Sequence, residues 1–490
     1  MNHRILLLLF AVLLPLPDAS AQQSATASPV RPPNIVLLMA DDLGWRDLQC
    51  YGSQTHETPY LNQLARQGVR FTNAYAPCTV CSPTRAAMLT GQSPARLHLT
   101  DWIEFGKDYV QPFARLGEPD WTQSLPTSAT TLAEALQRKG YRTAHLGKWH
   151  LGEGVDPVDH GFDMNVGGTE HGFPPGGFIL PNMLDLEGAG EGEYLTDYLT
   201  RRSIDWIESH RDEPFFLNLW YYAVHKPIEG KAALTNYYQG KIRPGDLHDN
   251  ASYAAMVHAV DESVGRVLAA IDRLGVADNT VVVFLSDNGG LSHNYGTRDP
   301  VTNNYPLRRG KGSAYEGGLR VPMIVRWPGV TPDPAAGGAE ELPEVCDEPV
   351  IGTDLYATVA AALDLEVDQG VLDGADIRPV LSQPSGSLSR EAIYWHYPHY
   401  HPGADGPFSV IRSRDWKLIH RHSTDAVELY NLAKDPSEAW DVSGNYPQQA
   451  ARLKTQLQTW RKKVGAQMPP TNPNYDPHRV AEHQWVDTER

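Results

Sequence analysis

A handful of short stretches in this 490-residue chain carry side chains whose types and spacing could do chemistry. Asp41-Asp42 and Asp287-Asn288 each follow an apolar run. Together they offer three carboxylates and one amide, all of them oxygen donors. Such a set suits a hard cation, Ca²⁺ ahead of Mg²⁺. A two-zinc phosphatase centre would want histidine among these ligands, yet Asn288 follows Asp287. An Asp-Asp pair alone reads as a polar turn; two such pairs closing two apolar runs point to an ion. Lys148 and His150 are two apart, so in an extended segment they share a side and face one pocket. His225-Lys226-Pro227 adds a second histidine, and Lys311 precedes Gly312-Ser313-Ala314-Tyr315-Glu316-Gly317-Gly318. Cys81-Ser82-Pro83-Thr84-Arg85 sets a thiol and a guanidinium at the head of a helix-forming stretch. Ser82 is placed to cap that helix and Pro83 suits its first turn.

These residues need elements to position them. Asn34 to Ala40, Tyr141 to Leu146, Pro214 to Val224 and Thr280 to Leu285 are nearly continuous apolar runs, as in strands buried on both faces. Helical patterns lie between them, at Pro59–Gln67, Thr131–Lys139, Tyr194–Ser209 and Ser252–Leu274. Alternating strands and helices predict an α/β fold, a large, mostly parallel or mixed sheet sandwiched by helices. Ligands of such sheets sit beyond the carboxyl ends of the strands, where the polar residues named above fall. Residues 101–128 and 167–192, rich in Gly, Pro and aromatics, read as long loops walling a pocket. Residues 331–343 read as a surface connection, and a boundary falls near Gln383 to Ser389. Beyond it, Ser409–Arg412, Trp416–His420 and Val427–Asn431 read as strands and Gln448–Val464 as a helix. That is a smaller C-terminal antiparallel sheet plus helix, followed by a Pro/Asn-rich tail from Pro469.

The net charge of -17, from 42 basic and 59 acidic residues, disfavours nucleic acid and anionic membranes as partners. Arg4, the apolar run Ile5–Leu14 and Ala19-Ser20-Ala21 have the form of a signal peptide over 1–21, cleaved after Ala21. The expectation is a secreted or periplasmic protein with no membrane anchor. The four cysteines, Cys50, Cys78, Cys81 and Cys346, are too few for a disulfide framework. Cys78-Thr79-Val80-Cys81 has redox spacing, but nothing around it supports a thioredoxin-like unit.

Cys81 to Arg85, continued by Ala86-Ala87-Met88-Leu89-Thr90-Gly91, resembles the signature of the type I, formylglycine-dependent sulfatases. Gly147-Lys148-Trp149-His150-Leu151-Gly152 is similar to that family's second signature. Lys311 and its glycine-rich string precede an Arg-Val-Pro strand, Leu319-Arg320-Val321-Pro322, as in that family. The resemblance implies an alkaline phosphatase-like fold with a catalytic domain over 22–385 and a C-terminal subdomain over 386–490. It implies that a formylglycine-generating enzyme oxidises Cys81 to Cα-formylglycine. One Ca²⁺ would be held by Asp41, Asp42, position 81, Asp287 and Asn288. The hydrated aldehyde would attack sulfur, with Arg85 lowering the cost of its alkoxide and Asp287 taking its proton. Lys148 and Lys311 would neutralise the sulfate. His225 would protonate the leaving alcohol, and His150 would deprotonate the second hydroxyl, so that elimination expels sulfate and restores the aldehyde.

The string from Gly91 to Trp102 and the run Trp395-His396-Tyr397-Pro398-His399-Tyr400-His401 resemble a bacterial polysaccharide-sulfatase branch. The expected substrate is a sulfated polysaccharide or oligosaccharide, with galactose or N-acetylgalactosamine sulfate as the sugar. His98, Asp101, Trp102, His171, His396 and His399 are the candidate substrate contacts. The histidine run is expected in a loop, exposed or touching sugar, rather than at a metal. Two alternatives stand beside this: a phosphodiesterase or phosphonate hydrolase of the same superfamily, and a non-catalytic glycan-binding relative.

Overall fold

The computed structural model describes residues 31–103, 111–292, 301–332, 343–401 and 406–480. The expected signal peptide and most of the 331–343 connection lie outside them. The nine strands of the large sheet are β1 (Asn34–Ala40), β2 (Val69–Tyr75), β3 (Arg142–Gly147), β4 (Met164–Val166), β5 (Phe215–Trp220), β6 (Thr280–Ser286), β7 (Arg320–Arg326), β8 (Glu344–Cys346) and β9 (Val350–Ile351). Their order is β4-β3-β5-β1-β6-β7-β2-β8, with β9 also on β2. From β4 to β6 every pairing is parallel. Only β7 runs against its neighbours, β6 and β2. The sheet is therefore mixed but mostly parallel.

Every residue of β1 is buried. Val36, Leu38 and Ala40 join one core and Ile35, Leu37 and Met39 the other, as alternation across a sheet with two covered faces requires. The helices are α1 (Pro59–Arg66), α2 (Cys81–Thr90), α3 (Pro94–Leu97), α4 (Leu132–Arg138), α5 (Leu195–His210), α6 (Ala232–Lys241), α7 (Ala251–Arg273), α8 (Glu316–Leu319), α9 (Asp354–Leu363), α10 (Arg378–Ser382) and α11 (Pro447–Val464). Apolar residues of α1, α5 and α7 cover the first face. Those of α2, α4 and α9 cover the second. A capping box starts α4, where Thr131 Oγ1 accepts from Glu134 N and Glu134 accepts from Thr131 N. No helix among the described residues is long and apolar enough to cross a membrane.

A second sheet, β10 (Ile393–Tyr397), β11 (Phe408–Ser413), β12 (Trp416–Arg421) and β13 (Val427–Asn431), is antiparallel throughout. Its one face carries Ile411, Leu418 and Leu429 onto Leu453 and Leu457 of α11. Its other face, with Trp395, Tyr397, Val410 and Ile419, packs on Tyr75, Val80, Tyr315 and Leu319 of the main body. Here the sequence reading needs correction. The stretch from Trp395, expected in a loop, is strand β10 as far as Tyr397, because its alternate residues Ile393, Trp395 and Tyr397 are apolar and fill this interface.

Candidate active site

The strand registers level four carboxyl ends, since Gly147 pairs with Trp220, Met39 with Trp220, and Ala40 with Ser286. The chain leaves each end carrying a functional residue. Backbone bonds lock β1 to β5 just past the strands, with Asp41 N on Ala223 O at 2.9 Å and Val224 N on Asp41 O at 2.8 Å. Asp42 adopts φ 61°, a left-handed conformation that Asp tolerates better than most side chains. It lets Asp42 N donate to Asp287 Oδ1 at 3.1 Å, joining the two acidic pairs.

Helix α2 brings Cys81 and Arg85 to the same place. All ten of its residues are buried. Ser82 does not cap it, contrary to the sequence reading. The helix starts one residue earlier, at Cys81, and Ser82 Oγ accepts from Ile103 N at 3.1 Å instead. Thr84 Oγ1 ties back to Cys78, accepting from its N at 3.1 Å and donating to its O at 3.2 Å. All four cysteines are free. Burial pushes the Cys78 thiol up to about 12, so it is inert beside Cys81.

Three cations and three carboxylates, all buried, interlock here. Arg85 donates Nε and an Nη to Asp287 Oδ2 at 3.1 and 2.7 Å, and its other Nη to Lys148 O at 2.8 Å. Its guanidinium lies 5.2 Å from the Trp220 ring. Lys148 Nζ is 2.7 Å from Asp41 Oδ2, and Lys311 Nζ is 2.7 Å from Asp42 Oδ1. Burial, with Asp287 beside it, holds the Asp41 carboxyl well above its ordinary range. Burial also acts to raise Asp42, but Lys311, His225 and Lys148 outweigh it and hold that carboxyl below the usual range.

Lys148 and His150 reach one pocket, but not from a simple extended segment. Gly147 has φ 97° and His150 φ 58°, so the chain turns twice. His150 Nε2 is 2.9 Å from Ile103 O. A carbonyl can only accept, so Nε2 carries a hydrogen, and in the neutral ring the lone pair sits on Nδ1, 3.4 Å from Cys81 Sγ. His225 is set the other way. Its Nδ1 donates to Lys226 O at 3.0 Å and its Nε2 lies 3.7 Å from Asp42 Oδ2. Burial and the adjacent Lys311 push its pKa well below the ordinary imidazole value.

Three buried oxygens in this cluster have no hydrogen-bond partner: Asp41 Oδ1, Asp42 Oδ2 and Asn288 Oδ1. Leaving a buried acceptor unpaired costs about 1–3 kcal/mol, so three in one site call for a donor of another kind. Asn288 is oriented for it, since its Nδ2 is spent on Asp42 Oδ1 and Gly289 O. These three oxygens fit a hard dication, and His225 brings one nitrogen close to Asp41 and Asp42.

The family model for sulfatases matches residues 33–365. The chain belongs to the sulfatase family. It is thus a sulfuric ester hydrolase of alkaline phosphatase-like fold. A second model, for the C-terminal region of N-sulphoglucosamine sulphohydrolase, matches residues 310–463 of this sulfatase. A sulfatase of Formosa agariphila is 30% identical, with 94% of each chain covered. The N-acetylgalactosamine-6-sulfatase of Rattus norvegicus is 33% identical over 78% of this chain and 71% of its own. The crystal structure of Ps i-CgsB superposes with TM-score 0.72 at 29% identity, covering 93% of this sulfatase and 97% of that chain. Ps i-CgsB has also been solved in complex with k-i-k-neocarrahexaose.

The candidate substrate contacts of this sulfatase divide. Two adjoin the site. Trp102 is half-buried, edge-on to His401 at 4.5 Å, and precedes the Ile103 carbonyl that holds His150. His171 is 35% exposed. A side chain on its neighbour Gly172 would come within 2.7 Å of the His150 ring. The other four are occupied by internal bonds. His98 Nε2 is bonded to Gly465 O at 2.9 Å. His396 is buried, with Nδ1 on Ser409 Oγ and Nε2 on Gln467 O, both at 2.7 Å. His399 is fully buried between Thr100 Oγ1 at 2.8 Å and Glu118 at 2.6 Å. Asp101 accepts from Tyr397 Oη at 2.6 Å and Trp102 N at 2.9 Å. His98, Asp101 and His399 fasten the small sheet and the end of its helix to the segment after α3, and His396 ties β10 to β11 and to the chain beyond α11. Sequence reasoning missed Ile103, whose contribution is a carbonyl that no side chain advertises.

Burial pushes the Asp101 carboxyl up to about 7. An unfolded Asp titrates near about 3.9, so between those values the folded state holds a proton that the unfolded state lacks. Stability is then fully present below the lower value and falls by about 1.4 kcal/mol per pH unit as pH rises toward the higher one. Asp101→Asn mimics the protonated acid and removes that slope. Urea midpoints at pH 5 and 7.5 should show the variant gaining on the parent at the higher pH; an equal difference at both pH values contradicts this.

Glycines let the 308–318 loop close over the ligand turn. A side chain at Gly289 would overlap the Gly317 carbonyl, which is main chain and cannot swing away. Gly289→Ala should cost about 3 kcal/mol, read from urea unfolding, and reduce sulfatase activity with it.

Proposed function

We propose that this sulfatase is exported by its leader and removes sulfate monoesters from a sulfated polysaccharide or oligosaccharide, with galactose or N-acetylgalactosamine sulfate as the sugar. The observation that carries the chemistry is His150 Nδ1 facing Cys81 Sγ at 3.4 Å, beside the three buried oxygens that lack a hydrogen bond. Oxidised to Cα-formylglycine by a maturation enzyme, position 81 supplies a hydrated aldehyde as nucleophile, and a Ca²⁺ on Asp41, Asp42, Asp287, Asn288 and position 81 supplies charge stabilisation.

The chain's own residues do the rest. Arg85 fixes Asp287 Oδ2, so the Asp287 carboxylate is held to take the proton of the attacking hydroxyl. Lys148 and Lys311 bring ammonium groups to the same centre and offset charge on the sulfate as its ester bond breaks. His225 directs Nε2 inward and gives a proton to the departing sugar oxygen. Burial and Lys311 disfavour its charged form, whereas an anionic ester works the other way. His150, its Nε2 fixed by Ile103 O, takes the second hydroxyl's proton through Nδ1, and sulfate leaves.

The sugar assignment is supported by the k-i-k-neocarrahexaose complex of Ps i-CgsB and by the N-acetylgalactosamine-6-sulfatase relative. Partly exposed Trp102 and His171 offer a ring and a hydrogen-bonding imidazole at the rim for a pyranose. A release assay over defined sulfated galactose and N-acetylgalactosamine saccharides tests it. Faster hydrolysis of an aryl phosphodiester or phosphonate ester than of any sulfate ester would overturn the choice of substrate. Protein with position 81 oxidised but no turnover of any sulfated sugar would leave a binding protein instead. Oxidation itself is read from the peptide containing residue 81, lighter by roughly 18 Da than the thiol form when the nucleophile is made.

A further inference from the structure

A second buried charge cluster stands outside the site. Lys417, on β12, places Nζ 2.9 Å from Glu316 Oε1 and 2.8 Å from Glu438 Oε1, all three fully buried. Glu438 Oε2 also accepts from Glu316 N at 2.6 Å. The far oxygen of Glu316 accepts from Tyr75 Oη at 2.6 Å, and Arg412 donates to that same Tyr75 oxygen. Glu438 itself adopts φ 52° to reach in. Two residues of the small C-terminal unit thus grip one residue of the loop that carries Lys311.

That loop has little regular structure of its own. Its length from 308 to 318 contains only the single-turn α8, and glycines stand at 310, 312, 317 and 318. On the inner side it lies against the ion-ligand turn. Lys311 N donates to Gly290 O at 3.1 Å, and Gly289 N donates to Gly318 O at 3.0 Å. On the outer side the C-terminal unit meets it again. Arg308 donates to Glu438 O at 3.0 Å, Tyr315 Oη donates to Glu428 at 2.9 Å, and the His401 ring presses on Gly312. The loop is a thin layer between Asp287-Asn288 and the small sheet.

We propose that Lys417 and Glu438 are positioning residues, which act through Glu316 to set the place of the Lys311 ammonium and of the Asp287-Asn288 turn beneath it. A buried cluster of this kind contributes geometric definition more than net stability. A misplacement of about 1 Å originating far from the reacting atoms can cost roughly a hundredfold in rate. The proposal rests on Lys311 acting at the catalytic centre, and the test separates the two.

Four proteins are compared on an aryl sulfate, all carrying oxidised residue 81: the parent, Lys311→Ala, Glu438→Gln and the double variant. Glu438→Gln keeps an oxygen for Glu316 N and removes the charge. We expect it to lower kcat/KM by roughly tenfold in the parent and by less than twofold when Lys311 is already gone, because residues acting through one another are not additive. Tyr75→Phe, which deletes only the hydroxyl on Glu316, is run through the same cycle and decides the question if Glu438→Gln does not fold. Losses that multiply, or a single variant with parental kcat/KM, overturn the positioning role. A Lys311→Ala protein with parental kcat/KM instead overturns the role given to Lys311.

Discussion

Cys81→Ala should lower kcat/KM on every sulfate ester by about four orders of magnitude or more, with thermal unfolding close to that of the parent. The thiol is 3% exposed and, among the described residues, its side-chain bond is to His150 Nδ1. Its removal breaks no ion pair and leaves a gap of a single atom. The ammonium groups proposed to meet the sulfate, Lys148 and Lys311, remain, so substrate affinity should change far less than turnover. What disappears is the group proposed to be converted into the nucleophile. Activity within tenfold of the parent, in protein shown by mass to carry alanine, would remove the basis of the mechanism.

Arg85→Met should destabilise the fold by about 3–5 kcal/mol, the usual result of removing one partner from a buried ion pair. The guanidinium makes two bonds to Asp287 Oδ2 and one to Lys148 O, and it lies over Trp220. Methionine fills much of the same volume, so the loss is electrostatic rather than a cavity. Three buried carboxylates would then face two ammonium groups. Added Ca²⁺ should restore part of the lost stability, since a dication replaces the missing charge and a ligand bound only by the folded state stabilises it. Thermal melts of both proteins with and without Ca²⁺ decide the matter. A variant melting with the parent would mean that the charges here are compensated by something other than Arg85.

Much of this arrangement was legible in the chain. Strands β1, β3, β5 and β6 were found within a few residues because they are buried on both faces and spell uninterrupted apolar runs. Strand β2 was not, because half-buried Arg70, Thr72 and Asn73 interrupt its run. Strand β10 was missed for a related reason: His396, placed between apolar Trp395 and Tyr397, is offset by two internal hydrogen bonds that no local pattern announces. The residues meeting at the carboxyl ends of the strands followed from strand order alone. Their bond partners did not. The sequence argument for Lys148 and His150 assumed a straight segment, and two left-handed residues bend it. Ser82 has the chemistry of a cap but spends its oxygen on Ile103, since the helix begins at Cys81. The Glu316–Lys417–Glu438 cluster joins residues far apart in the chain, where spacing carries no signal.

His150 is held by main chain on both sides, its N donating to Thr169 O and its Nε2 to Ile103 O. No side chain at either support is needed for the grip. Residue types in the two rim segments can therefore change while the main-chain grip on His150 beneath them stays the same. On the sugar contacts proposed for Trp102 and His171, retargeting this scaffold to new glycans asks for substitutions at 102 and 171, with the backbone path of both segments left as it is.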